Sequence, residues 1–145
     1  MSKTAGVHML VVAMICLIPN IHVAAQSMEE AISGKWIIES TGDEISGGHL
    51  IFQAGEKYEF YRKYPDGTGA GTKGGYVFNK QGSNGTLRLC IGDCNAAGSE
   101  WTSSFALVRL SGESRLEIYF SEDGNFPNKF PKTTDEKSMY VFVRE

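Results

Sequence analysis

The stretch Ser27-Met28-Glu29-Glu30-Ala31-Ile32-Ser33-Gly34-Lys35-Trp36 decides the fold of this chain. Ser27 and Glu30 have the spacing of a capping box, in which the serine hydroxyl accepts from a first-turn backbone N–H and the glutamate reaches back to the serine amide. Met28 and Ile32 lie four residues apart and share one helix face, and Gly34 can end the helix in a left-handed conformation. We therefore expect one or two helical turns whose apolar face covers another part of the molecule.

After Trp36 the apolar residues change from helical spacing to alternation, which is typical of strands that bury one face. Eight segments show this pattern: 35–40, 49–53, 57–64, 73–79, 86–91, 100–110, 115–121 and 138–144. Most of the breaks between them are short and rich in turn-forming residues, and such links join antiparallel neighbours. The sequence therefore predicts an all-β fold, an eight-stranded antiparallel up-and-down β-barrel, because closure removes exposed strand edges.

Alternation also sorts the side chains between the two faces of the predicted sheet. One face takes apolar side chains, namely Tyr58, Phe60, Leu87, Leu89, Leu116, Ile118 and Phe120. The other face takes charged ones, namely Lys57, Glu59, Lys63, Arg88 and Glu117. A barrel of this size either fills its interior with side chains or holds one small ligand.

Gly34-Lys35-Trp36 after the capped turn and Arg144 at the end of the last predicted strand resemble the lipocalin-like members of the calycin group. The resemblance implies that a short N-terminal helix closes the base of the barrel, that Trp36 plugs the base above it, and that Arg144 packs across the indole. The Thr-Asp-Tyr loop motif of the larger secreted members is absent, so the resemblance is to an outlying or simplified member. Streptavidin-like barrels share the glycine–tryptophan start, but their repeated Thr-Gly-Thr-Tyr signal is missing.

Residues 1–25 are predicted to be a secretory signal peptide, which leaves one domain at 26–145. Lys3 precedes ten apolar residues, 9–18, and the segment ends in two alanines. The apolar run is shorter than the roughly 20 residues of a membrane span, so we expect no stable membrane insertion. A lipid anchor on Cys16 is the alternative, but Ile15 stands where such signals carry a small residue. We expect a secreted or periplasmic protein.

Three cysteines occur in the chain, and Cys16 would leave with the signal peptide. The remaining pair, Cys90 and Cys94, is expected to form a disulfide bond, as an even cysteine count in an exported chain indicates. The alternative is a redox or metal site, but the spacer has three residues rather than two and no second pair of ligands accompanies it. We expect no metal and no cofactor.

Composition and the remaining motifs exclude several classes of function. The chain has 14 Lys and Arg against 17 Asp and Glu, and phosphate binding favours a basic face, so nucleic acid is not an expected partner. Residues 69–74 match G-x-G-x-x-G, but a strand signal rather than a helix follows, and we expect a flexible hairpin loop there. His49 has no Gly-x-Ser-x-Gly elbow with it, so no catalytic residue is assigned. The acidic pair Asp43-Glu44 is expected in a solvated loop.

The residues expected to line the barrel are the candidate ligand-binding set: Tyr58, Phe60, Arg62, Tyr76, Phe78, Leu89, Phe105, Ile118 and Phe120. Such a lining suits a small apolar or amphipathic molecule. Arg62 alternates with Tyr58 and Phe60 and would face the interior, where an unpaired charge needs a carboxylate or an anionic ligand. Alternatively, Arg62 lies in water at the open rim.

Residues 122–137 form a long link between the last two predicted strands and contain Phe126 and Phe130, each followed by proline. Links of this length are usually functional or disordered. The two phenylalanines could cap the barrel mouth, contact a partner or cover an outer groove. Two hypotheses follow. In the first, the barrel binds a small lipophilic molecule. Alternatively, the chain is a protein-binding module of the inhibitor or immunity type, with a packed barrel and loops that contact an exported protein.

Overall fold

The computed structural model describes residues 27–81 and 84–145, and the predicted signal peptide lies outside this part of the chain. Helix α1 comprises Met28–Ile32, and the Ser27 hydroxyl caps it by accepting a hydrogen bond from the Glu30 amide at 3.2 Å. Both apolar residues of the predicted helix face are buried. The short helix is therefore confirmed, and Gly34 leads the chain into the first strand with a φ of 107°.

Eight antiparallel strands follow and close into a barrel in the order of the chain. They are β1 (Gly34–Thr41), β2 (Gly47–Gln53), β3 (Lys57–Lys63), β4 (Gly69–Gln81), β5 (Asn84–Cys90), β6 (Ser103–Ser111), β7 (Arg115–Phe120) and β8 (Met139–Arg144). Each strand pairs with the next, and β8 pairs with β1. The predicted all-β up-and-down barrel is confirmed.

The sixth strand begins later than its sequence pattern predicts. A 3-10 helix occupies Ser99–Thr102, and β6 starts at Ser103 rather than at residue 100. Arg88 fixes this turn from β5, because its guanidinium donates to the Ser99 hydroxyl at 2.7 Å and to the Ser103 hydroxyl at 2.9 Å. At residues 99–102, side-chain hydrogen bonds from Arg88 thus hold the chain in place of strand pairing.

We expected a flexible hairpin loop at the glycine-rich stretch 69–74, but this prediction was wrong. The stretch forms the first half of β4. A β-carbon added at Gly74 would lie 1.9 Å from the Cys90 carbonyl oxygen, and one added at Gly69 would lie 2.2 Å from the Tyr61 hydroxyl oxygen. Glycine is needed here because other groups approach the strand backbone closely, which is one of the positional roles of glycine in strands.

Cys90 and Cys94 form a disulfide bond, as predicted. Cys90 ends β5 and is completely buried. The bridged segment folds back onto β4, where the Gly75 amide donates to the Gly92 carbonyl at 2.7 Å. The disulfide therefore holds the end of β5 and its following loop against the neighbouring strand.

The two ends of the barrel differ in what covers them. The base carries α1 and the β2–β3 and β6–β7 connections, whereas the upper end carries connections 42–46, 64–68, 91–102 and 121–138. One continuous cluster of buried side chains fills the interior: Met28, Ile32, Trp36, Leu50, Phe52, Tyr58, Phe60, Tyr76, Phe78, Leu87, Leu89, Ala106, Val108, Leu116, Ile118, Phe120, Tyr140 and Phe142. Burial of this apolar surface is the main source of stability.

Trp36 and Arg144 meet at the base, where they are register partners across the β1–β8 pairing. The Trp36 indole is completely buried and its Nε1–H donates to the Ile32 carbonyl at 2.7 Å. The Arg144 guanidinium lies 4.2 Å from the indole ring centroid. It also donates to the carbonyls of Ala31, Ser33 and Glu113, so it ties the helix end and the β6–β7 turn to the last strand.

We predict that Arg144→Lys lowers the free energy of unfolding by about 1 to 2 kcal/mol, because lysine cannot donate to three carbonyls in the fixed fork of a guanidinium. Urea unfolding followed by circular dichroism measures this. Lys35→Ala is the control, since the Lys35–Glu145 pair is exposed and such pairs contribute about 0 to 1 kcal/mol. Equal stability of Arg144→Lys and the wild type would contradict the structural role of this residue.

We predict that Gly74→Ala destabilises the barrel by about 2 kcal/mol or more, because the new methyl group would overlap the Cys90 carbonyl. Gly71→Ala is the matched control in the same strand, since the nearest atom to its added β-carbon is 3.8 Å away. Thermal unfolding of the two variants shows whether glycine is needed at position 74 because the Cys90 carbonyl approaches its backbone, or only because glycine makes the strand flexible. If both glycines tolerated alanine equally, the explanation from close approach would be wrong.

Candidate upper-cavity binding site

The barrel interior contains a cavity of about 170 Å3 at its upper end, which we call the upper cavity. Its lining residues are Asp43, Tyr58, Phe60, Arg62, Thr72, Leu89, Ser104, Phe120, Ser138 and Tyr140. They come from the β1–β2 and β7–β8 connections and from strands β3 to β8. Aromatic rings and polar groups therefore converge on one small space.

The structure divides the predicted ligand-binding set into three groups. Five of its members line the upper cavity: Tyr58, Phe60, Arg62, Leu89 and Phe120. Three others are buried in the interior cluster but do not line the cavity: Tyr76, Phe78 and Ile118. The prediction was wrong for the ninth residue, Phe105. It lies on the outer face, where its ring packs edge-on against that of Phe126 with the ring centroids 5.0 Å apart.

The error at Phe105 has a physical reason. Strand β6 carries apolar residues on both of its faces, so alternation does not identify the inner one. In the structure Ala106 pairs with Leu87 and Val108 is buried, which places the even-numbered residues inside. The large ring outside is then covered by the β7–β8 connection.

Arg62 faces the interior close to the upper end of β3, so each of its two expected locations is partly right. It is half-buried, and its guanidinium carbon lies 5.2 Å from the Phe60 ring centroid. Its Nε atom is buried and has no hydrogen-bond partner among residues 27–81 and 84–145. Unlike the half-buried Arg109, which pairs with Glu117 at 2.7 Å, Arg62 forms no ion pair within that part of the chain.

Asp43 and Tyr140 are cavity residues that the sequence analysis missed. The Tyr140 hydroxyl donates to Asp43 Oδ2 at 2.5 Å, and the Ser138 amide donates to Asp43 Oδ1 at 2.9 Å. Asp43 is therefore not a freely solvated loop acid. The pairing joins residues 97 positions apart in the chain, so no local sequence signal could have found it.

Burial raises the pKa of the Tyr140 hydroxyl well above its ordinary value, and the hydrogen bond to Asp43 adds to this rise. Arg62 beside the hydroxyl partly opposes it. Burial also raises the pKa of Tyr58, against the smaller opposing effect of its hydrogen bond with Thr72. Both phenols therefore stay protonated and act in the cavity as neutral hydrogen-bonding groups.

A larger concave site of about 720 Å3 lies over β3 and β4, between the β2–β3 turn and the disulfide-bonded loop, and the predicted ligand-binding residues Tyr58 and Tyr76 contribute to its lining. We call it the outer groove. Lys57, Glu59 and Lys73 contribute to its lining with charged side chains on the outer face. The upper cavity is the better candidate despite its smaller size, because a donor without a partner and several aromatic rings converge there.

Phe126 and Phe130 of the segment 122–137 lie on the outside of the barrel. Phe126 packs on Phe105, and Phe130 lies 4.4 Å below the Arg109 guanidinium. Glu117, which we expected on a solvated face, is buried beside Arg109 at 2.7 Å and Arg115 at 3.5 Å. Of the three roles considered for the two phenylalanines, covering an outer surface matches their contacts.

The fold and the upper cavity define a closed eight-stranded barrel with a small, partly polar interior site. Comparisons with protein-family models, curated proteins and solved structures found no match. Among the residues described, no helix is long and apolar enough to cross a membrane. The same residues contain no group of three or more His, Cys, Asp or Glu side chains placed to hold a metal ion.

We predict that Tyr140→Phe reduces the loss of stability at alkaline pH. Since the pKa of Tyr140 is raised in the folded state, the unfolded chain ionises first, near pH 10, and stability falls as the pH rises above that value. Below about pH 9 both states are protonated and this group gives no pH dependence. Urea unfolding between pH 8 and about pH 12 should show a shallower decline for Tyr140→Phe than for the wild type. Identical alkaline slopes would contradict the buried hydrogen bond.

Proposed function

We propose that the protein is an exported, lipocalin-like binding protein of the calycin kind that holds one small amphipathic molecule in the upper cavity. The observation that carries this proposal is the convergence of aromatic rings and polar groups in a part of the interior that side chains leave open. The base is occupied by Trp36 and α1, so a ligand would enter from the opposite end.

The size of the cavity limits the ligand. A cavity of about 150 Å3 is enough for one benzene ring, whereas sites for drug-sized ligands have about 300 Å3 or more. The upper cavity, at about 170 Å3, therefore suits a molecule with one ring or a short chain rather than a long-chain lipid.

The chemistry of the lining favours a molecule with one apolar part and one polar part. Phe60 and Phe120 stack with their ring centroids 5.9 Å apart, and Leu89 extends this apolar wall. Arg62 and the Tyr58 hydroxyl supply polar contacts in the same space. Ligand sites are commonly built this way, with a mainly apolar lining and a few polar groups that fix orientation.

Two further features support an exported protein. The Cys90–Cys94 disulfide fits an oxidising compartment, where such bonds persist. The sequence of residues 1–25 has the organisation of a secretory signal. Secretion or periplasmic location is part of the proposal.

We predict that Thr72→Phe abolishes binding of small one-ring molecules, because the new ring points into the upper cavity and fills it. The measurement is calorimetric titration with benzoate, benzamide, benzyl alcohol and indole, alongside native mass spectrometry of the protein purified from its host. Lys73→Phe is the matched control, since the adjacent side chain lies on the outer face and lines the outer groove.

Wild-type binding that is lost in Thr72→Phe and kept in Lys73→Phe is the expected result. Loss in Lys73→Phe alone would transfer the site to the outer groove and overturn the proposal. The absence of any bound molecule, together with no binding of the four probes to the wild type, would also overturn it.

One observation favours the second candidate, the binding of an exported protein. Trp101 is 88 % exposed and Ile91 is 60 % exposed, and both lie in the loop that contains the disulfide. Both side chains are accessible to a partner that contacts this loop. A wild-type barrel that binds none of the small molecules would favour this candidate.

A further inference from the structure

We infer that the upper cavity is specific for small carboxylates and that Arg62 is the residue that selects them. This inference rests on the proposed binding function and names the class of ligand. The observation behind it is the buried Nε–H of Arg62, which has no acceptor in the part of the chain that the structure describes. The Arg62 side chain lines a cavity with room for one ring.

A buried donor without a partner is costly, at roughly 1 to 3 kcal/mol and more when the group is charged. Native structures rarely keep such a group without a reason. Arginine remains charged at all physiological pH values, so it cannot avoid the cost by losing a proton. Residues 27–81 and 84–145 supply no acceptor for this N–H, and an acidic ligand beside the guanidinium would offset the cost of its buried charge.

Two oxygen acceptors, Asp43 and the Tyr140 hydroxyl, line the same cavity as Arg62 and are hydrogen-bonded to each other. Asp43 accepts from the Ser138 amide with one oxygen and from the Tyr140 hydroxyl with the other. Tyr140 directs its proton to Asp43, which leaves no phenolic O–H for a ligand. These two hydrogen bonds hold the Asp43 carboxylate in place, while Arg62 lies beside the Tyr140 hydroxyl and its Nε–H stays without a partner among the described residues.

A carboxylate is the group whose shape and charge fit this donor best. A guanidinium presents parallel N–H groups that match the two oxygens of a carboxylate, and charge-assisted bonds of this kind are about twice as strong as neutral ones. The rings of Phe60 and Phe120 stand beside Arg62 in the cavity lining and can contact the apolar part of the ligand. A one-ring carboxylate therefore satisfies both parts of the site.

The test compares benzoate with benzamide, which has nearly the same shape but no charge, by calorimetric titration of the full-length exported protein. We expect the wild type to bind benzoate about tenfold or more tightly than benzamide. Arg62→Gln should remove this preference. Lys63→Gln, the control, removes the same charge one residue further along on an exposed outer position and should keep the preference.

Asp43→Asn provides a test of opposite sign. It removes the negative charge that borders the cavity, so benzoate should bind more tightly to this variant than to the wild type, while benzamide binding changes little. Thermal unfolding of each variant shows whether it is folded. If Arg62→Gln does not fold, Arg62→Lys serves instead, because it keeps the charge but loses the fork and should weaken benzoate binding.

Equal affinities of the wild type for benzoate and benzamide, or an unchanged preference in Arg62→Gln, would overturn the selection of carboxylates while leaving the binding function intact. Failure of both probes, and also of benzyl alcohol and indole, would overturn the binding function itself. The two failures are therefore distinguishable in one set of titrations.

Discussion

The contact between Trp36 and Arg144 is the constraint on which the rest of the barrel depends. The two residues are partners across the pairing of the first and last strands, and the guanidinium lies 4.2 Å from the ring centroid. The indole N–H binds the Ile32 carbonyl, so one side chain joins α1 to β1 while its partner joins both to β8. Because the barrel closes at this pairing, the contact fixes which end is sealed.

The same β1–β8 pairing is held at its other end by a different interaction. Thr41 pairs with Tyr140, and the Tyr140 hydroxyl binds Asp43 just beyond the end of β1. Asp43 also accepts from Ser138, which precedes β8. A contact between an aromatic ring and a cation thus closes the base, whereas a polar contact borders the upper cavity.

The sequence predicted the fold from signals that are local in the chain. The Ser27-capped helix before Trp36 and the clean alternation of Tyr58 and Phe60 each depend on residues a few positions apart, and each was confirmed. The predictions were wrong where distant contacts decide the outcome. The glycines of β4 resemble a loop until the approach of Cys90 is known, Phe105 lies on a strand that is apolar on both faces, and Asp43 becomes a cavity residue only through Tyr140.

The central claim is that the barrel is sealed at the base and binds at the upper end, and amide-resolved NMR during a benzoate titration tests it most directly. We expect shifts at Arg62, Thr72 and Tyr140, with the indole N–H signal of Trp36 unchanged because its hydrogen bond to Ile32 is buried. Shifts centred on the Trp36 indole, or on Gly75 and Val77 of the outer groove, would contradict the account.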